Sequence, residues 1–149
     1  MQSQCDTLYT DMKNFDKLYE GVMNKVSYTA LVLDKESRQR ILGLWEIPEG
    51  WEKIGHHMTI NMGASKYPEL VGVEGSAKAV SIAIDHELGV MAIGVESDTP
   101  SDNKIKHITL AVNRSVGAKP FMSNKLKEWN PLPSSTNINF TGTIIEVPN

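Results

Sequence analysis

The sequence predicts an α+β domain built mainly on antiparallel sheet. Two observations carry this: β-branched and apolar runs that follow one another through short turns, and helical periodicity confined to a few brief segments. Between Leu70 and Glu96 the runs "LVGVEG", "AVSIAI" and "GVMAIGVE" stand too close together for the crossover helices of a Rossmann-like parallel sheet.

The chain opens with Leu8, Met12, Phe15, Tyr19 and Val22 spaced by fours and threes, with Asp11, Lys13, Asp16 and Lys17 on the other face. That spacing predicts an amphipathic helix over 7–23. "VSYTALVLD" reads as a strand, and Asp34 at its end is placed to cap a helix over "KESRQRILGLW", in which Gly43 favours early fraying. The Pro and Gly of "EIPEGWEKIG" make a loop that delivers the chain into a strand over "HHMTINM". The three strand-like runs follow, the last two joined by "DHELG" as a hairpin turn in which His86 is an exposed turn residue. "SDTPSDNK" is a polar turn cluster ahead of a strand over "IKHITLAV". After the loop "NRSVGAKP", Ser123 is placed to cap a short helix in "FMSNKLKEWN", and "INFTGTIIEV" closes the chain as a strand.

A length of 149 residues with 40% hydrophobic content suits one domain with one sizeable core. The formal net charge of −3 gives no overall basic field to hold long duplex nucleic acid by counterion release, though a small anionic ligand needs only a local one. Cys5 is the single cysteine, which excludes an internal disulfide and fits a reducing, cytoplasmic compartment. Neither a signal-peptide pattern nor a run of about 18 apolar residues is present, so no membrane partner is expected.

One pattern occurs twice. "HMTI" and "HITL" each set His, apolar, Thr, apolar, so His57 and Thr59 are matched 50 positions later by His107 and Thr109. On a strand, His57 and Thr59 project to one face while Met58, Ile60 and Met62 project to the other; His107 and Thr109 are likewise set apart from Ile108, Leu110 and Val112. His56 shares a face with Met58, so it points toward the apolar side or stands at the strand's start as a structural or entry-point residue. Lys106 holds the matching place in the second copy, so the position before the motif does not need an imidazole.

Two imidazoles facing one substrate make a general acid and base, since an unperturbed pKa of about 6.5 allows one neutral and one protonated ring near neutral pH. Threonine hydroxyls and a protonated imidazole donate to oxyanions, so phosphate is the natural central group. The reaction this chemistry points to is metal-independent phosphodiester cleavage, with no cofactor. Zinc is the other sharp reading of paired histidines, but there is no Cys cluster, no His-x-x-x-His helix and no third ligand beside either pair. The structural alternative is that each histidine is a satisfied strand residue and the echo a coincidence.

At these twin motifs the sequence resembles the two-histidine (2H) phosphoesterase superfamily. "KHITLAVNRSVGAKPFMSNKL" is similar to the matching region of the cyclic phosphodiesterase domains of fungal tRNA ligases and of related phage proteins, where Lys-Pro and Ser-Asn follow the second motif. The resemblance covers roughly residues 26 to 147 and leaves an N-terminal helical extension, 1–25, ahead of a phosphoesterase domain, 26–149. It implies a bilobal α+β fold, two antiparallel sheets with pseudo-twofold symmetry around a central groove and helices outside. It implies His57 and His107 as the acid-base pair, in either order, with Thr59 and Thr109 on the phosphate oxygens.

The implied substrates are small nucleotides or RNA 3′ ends bearing a 2′,3′-cyclic phosphate. The phage relatives suggest cyclic di- or oligonucleotide signals of bacterial immunity instead, and a non-catalytic nucleotide-binding module is the alternative of another class. Lys119, Ser123 and Asn124 in the following loop are candidates to close over the phosphate, or are a surface lysine and helix-cap residues. Tyr28, Trp45 and Trp51 are candidates to stack on a base, or pack in the core or rim. Glu146 on the last strand is a candidate to contact a base or orient a histidine, or is a solvated strand residue.

Overall fold

The computed structural model describes residues 26–149, so the helix expected over 7–23 and Cys5 lie outside the described residues. Within them the alternating runs become strands β1 (Val26–Leu33), β2 (Glu52–Lys53), β3 (His57–Met62), β4 (Glu74–Asp85), β5 (Val90–Glu96), β6 (His107–Val112), β7 (Asn130–Pro131) and β8 (Asn139–Pro148). One α-helix, α1 (Lys35–Leu44), follows β1, and three short 3-10 segments cover Pro68–Leu70, Arg114–Val116 and Pro120–Lys125. The class is α+β and every strand pairing is antiparallel.

The strands form a single eight-stranded sheet where two sheets were expected. β8 joins the two halves by pairing with both β1 and β4, and β6 pairs with β5 along one edge and with β3 along the other. The path β1, β3, β6, β5, β4, β8 therefore returns to β1 and closes. The seam between β3 and β6 is narrow, with Met58 directly facing Ile108 and no other residue pair in register. β2 prolongs it, since Glu52 and Lys53 pair with Val112 and Ala111 on the same strand.

Leu31, Met58, Ile93, Ile108, Leu110 and Phe140, all fully buried, form the main core, which Ile41 of α1 also enters. A second cluster of Val90, Ala92, Val112, Ala118 and Leu126, with Met122 packed against it, holds the Pro120–Lys125 segment to β5 and β6. Asp34 caps α1 as expected, its carboxylate accepting the Ser37 N–H at 2.7 Å. The Thr141 hydroxyl donates to the same carboxylate, and these two donors hold Asp34 below the usual carboxylate range. The cap thus also ties α1 to β8.

Four expectations change. Gly43 does not fray α1, which runs on to Leu44 with Ile41 as its anchor. "LVGVEG" is not a strand at its start: Pro68 opens a 3-10 turn, Gly72 sits at φ 91, and β4 begins at Glu74 before running unbroken through "AVSIAI". Ser123 lies inside the 3-10 segment instead of capping a helix; Lys119 holds the cap position. Met62 does not share the apolar face of Met58, for a reason that also shapes the candidate site.

That reason is a β-bulge. Thr29 faces Asn61 and Ala30 faces Thr59, so Ile60 is an extra residue in β3. Past the bulge the parity is reversed, and Met62 faces Tyr28, on the same side as His57 and Thr59. Met62 is 74% exposed.

Gly142 in the middle of β8 tests how tightly the ring is closed. A Cβ there would lie 2.2 Å from the Val32 carbonyl oxygen and 2.7 Å from its carbon, both backbone atoms of β1 that cannot rotate away. Gly142→Ala is expected to cost more than about 3 kcal/mol in urea unfolding. A loss below about 1 kcal/mol would mean that β1 and β8 separate freely at this point.

Candidate active site

The two motif strands are built alike. In β3, His57 faces Val32 and Thr59 faces Ala30; in β6, His107 faces Gly94 and Thr109 faces Ala92. The bulge at Ile60 has a counterpart at Leu110, since Ala92 faces Thr109 while Met91 faces Ala111. The residue before each motif is held in the same way: Leu33 N–H donates to His56 O and Val95 N–H to Lys106 O, both at 2.9 Å.

Met58 and Ile108, the central residues of the two motifs, are the pair that faces across the seam. Because the strands run in opposite directions, His57 stands toward the Thr109 end of β6, and Thr59 toward the His107 end. All four side chains line one cavity of about 600 Å³, with Tyr28, Met62, Lys66, Asp102, Phe121, Ser123 and Asn124 completing its walls.

His107 is 6% exposed and both ring nitrogens have partners. Nδ1 lies 2.7 Å from the Ile105 carbonyl, which only accepts, so Nδ1 carries a proton. Nε2 is 2.9 Å from the Ser123 hydroxyl, which is also 2.8 Å from the Thr109 hydroxyl and 2.9 Å from the Pro120 carbonyl. With His107 neutral, Ser123 donates to Nε2 and accepts from Thr109. With His107 protonated, Nε2 donates to Ser123, whose own proton turns to Pro120. Burial lowers the His107 pKa, and the hydrogen bond to Ile105 opposes that shift. The Trp129 ring lies 5.8 Å from this imidazole.

His57 is held differently. The Tyr28 ring stacks on it, centroids 4.7 Å apart and planes 28° from parallel, and its Nδ1 is 2.9 Å from Nδ1 of His56. Burial, reinforced by the charges of His56 and then His107, pushes the His57 pKa down to about 4. His56 is itself lowered by burial and by Arg38 of α1. Burial alone raises Tyr28.

The rim comes from three loops. At the end of β3, buried Asn61 donates to the carbonyls of Met62 at 3.0 Å and Ala64 at 2.8 Å and folds the following loop back. Lys66 on that loop pairs with Asp102 at 2.7 Å, and both line the cavity. Asp102 is brought in because the bulge turns consecutive carbonyls the same way: Thr59 O takes the Ser101 hydroxyl and Ile60 O takes the Asp102 N–H, both at 2.7 Å. The third loop supplies Ser123, Asn124 and Phe121, which is 63% exposed.

Of the residues singled out in the sequence, His57, Thr59, His107, Thr109, Tyr28, Ser123 and Asn124 come together here. The others lie elsewhere. Trp51 and Trp45 pack on the main core, and the Trp51 ring meets the edge of exposed His86 at 5.5 Å. Lys119 is exposed at the start of the 3-10 segment, its N–H on the Met122 sulfur. Glu146 accepts the Ser65 N–H at 2.8 Å and so pins the loop that carries Lys66. Met62, Lys66, Asp102 and Phe121 were not singled out. Phe121 alone had a signal, standing between Lys119 and Ser123. Among the described residues no group of three or more His, Cys, Asp or Glu is gathered as a metal ion would need, and no helix is long and apolar enough to cross a membrane.

His57 has a consequence for stability. An unfolded histidine takes up a proton near 6.5, whereas folded His57 does so only near 4. Stability that is full above pH 6.5 is therefore lost as pH falls toward 4, with no further loss below, and the whole shift is worth about 3 kcal/mol. Urea unfolding between pH 7 and 4 is expected to show this decline and His57→Asn to make it shallower, with His56 and His107, also lowered by burial, accounting for a remainder. An identical pH dependence in the variant would remove His57 as its source. Compared with family models, curated proteins and solved structures, the chain matches none.

Proposed function

We propose that this chain is a metal-independent phosphodiesterase of the two-histidine kind, acting on a nucleotide, with an RNA end bearing a 2′,3′-cyclic phosphate as its simplest substrate. The observation that carries the reading is the convergence of both His-Thr pairs on one cavity, their strands bulged at the same motif position.

The two environments divide the roles. His57, pushed down to about 4, is neutral at pH 7 and acts as the base: it takes a proton from water as the water oxygen bonds to phosphorus. His107, whose Nδ1 proton is fixed on a carbonyl, acts as the acid once an anionic phosphate raises its proton affinity. Nε2–H then exchanges the Ser123 hydroxyl for the ribose oxygen and protonates it as its bond to phosphorus breaks. The Thr59 and Thr109 hydroxyls donate to the non-bridging oxygens, whose charge grows in the transition state. Lys66 and Asp102 form an exposed, solvent-screened pair, so exchanging Asp102 for phosphate costs Lys66 little. Phe121 and Met62 offer apolar rim surface to a base or ribose.

A second substrate class is favoured by a second recess. About 520 Å³ lies beyond His107 and Ser123, lined also by Lys104, Lys127 and Trp129, and it shares Asp102, Asn103 and Asn124 with the main cavity. A phosphodiester flanked by nucleotides on both sides, as in a cyclic di- or oligonucleotide, would fill both spaces.

In EDTA, the protein is expected to open a 2′,3′-cyclic phosphate oligonucleotide, and His57→Ala and His107→Ala to lose about 10²–10⁴-fold in kcat. Turnover that survives both changes, or none in the intact protein, would sink the reading. Thr59→Val and Thr109→Val are expected to lower kcat by about 10²-fold, and unchanged rates would take the hydroxyls off the phosphate. Across cyclic dinucleotides, cyclic trinucleotides and terminal cyclic phosphates, a higher kcat/KM for the cyclic oligonucleotides marks use of the second recess.

A further inference from the structure

The two motif histidines differ in what holds Nδ1. In the second copy Nδ1 of His107 uses the carbonyl of Ile105, two residues earlier. The matching residue in the first copy is Gly55, at φ 48 in the left-handed region. A Cβ at Gly55 would lie 2.8 Å from Leu42 Cδ2 and 3.0 Å from Ile41 Cγ2, so the chain is pressed against α1 here, and its N–H is spent on Thr109 O. Nδ1 of His57 meets the ring of His56 at 2.9 Å instead. Lys106, which precedes His107, turns to the Ser97 carbonyl at 2.7 Å and takes no such part.

We infer that His56 is the positioning residue of His57: it accepts the Nδ1 proton of His57 and so keeps the Nε2 lone pair of His57 free for the cavity. The inference rests on His57 being the base in the reaction proposed above. Nδ1 to Nδ1 contact leaves room for one proton between two acceptors. With that proton on His57, Nε2 is bare and the ring can take a proton from water. With it on His56, the neutral His57 ring must carry its hydrogen on Nε2 and cannot act as a base.

A backbone carbonyl would fix the first arrangement permanently, whereas an imidazole fixes it only while neutral. Protonated on both nitrogens, His56 can only donate, which forces His57 into the inactive tautomer. Loss of activity on the acid side then follows His56 rather than His57. The other groups facing this pair are Tyr28 from β1, His107 from β6 and Arg38 from α1, with Lys66 and Asp102 at the cavity lip.

The test uses the full chain labelled with ¹⁵N-histidine. At pH 7.5, His57 is expected to show a protonated Nδ1 and a bare Nε2, and in His56→Ala to populate both tautomers. His56→Ala is expected to lower kcat about 10–100-fold with KM little changed. His56→Asp, an acceptor only, is expected to restore the tautomer and most of kcat. It is also expected to move the acidic limb of the pH profile upward, because a carboxylate favours the imidazolium. Unchanged tautomers in His56→Ala, or a proton on Nε2 in the parent protein, would overturn the inference. The expected tautomers together with no phosphodiester turnover would support the hold of His56 on His57 and overturn the proposed activity instead.

Discussion

The site depends on one contact, the meeting of Met58 and Ile108 across the seam between β3 and β6. Both are fully buried, and each is the middle residue of its motif. Their pairing fixes three things at once: it closes the ring of strands, it fills the floor of the core, and it sets the two His-Thr pairs head to tail above that floor. Side chains alternate along a strand, so an apolar residue locked downward commits its two neighbours upward. A one-residue slip of either strand at this seam would send its own His-Thr pair into the core, where unpaired imidazole and hydroxyl groups cost several kcal/mol. Burial of the middle residues is what makes the polar geometry definite.

On that symmetric floor the two halves are finished differently. The β6 half is enclosed: the second apolar cluster presses the Pro120–Lys125 segment down, so that Ser123 reaches His107 and Thr109. The β3 half is held from the side, by the Tyr28 face and the His56 ring. The proposed division of acid and base roles rests on this finishing. Nearly identical backbones give their imidazoles unlike proton affinities because the neighbours of each ring are unlike.

What could be read in advance follows from the range of the interaction. Local signals were legible: Asp34 as a cap, "DHELG" as a turn with the Gly89 N–H on the Asp85 carbonyl, and His57 and Thr59 on one face. The bulges were not, because an inserted residue leaves the pattern before it intact and only reverses what comes after. Met62 was misplaced for that reason. The enclosing residues were illegible on other grounds. Lys66 and Asp102 are ordinary surface residues in sequence, joined over 36 positions by loops whose course depends on the carbonyls freed at Ile60 and on buried Asn61. Ser123 looked like a helix cap because serine commonly is one; its partners lie 14 and 16 residues back, on a strand whose position no local pattern reports.

Ring closure has a bearing on how such a protein would change over time. Apart from the narrow seam between β3 and β6, the six strands of the ring are bonded edge to edge, which leaves little free margin along which the sheet could part for a larger ligand. The whole burden of fit falls on the three connecting segments that overhang the cavity, after β3, before β6 and after β6. These are joined to the floor by a handful of hydrogen bonds and one small apolar cluster. Insertions, deletions and wholesale exchange of those segments can therefore redraw the list of accepted ligands while the reacting groups beneath stay in register, which separates the inheritance of chemistry from the inheritance of taste.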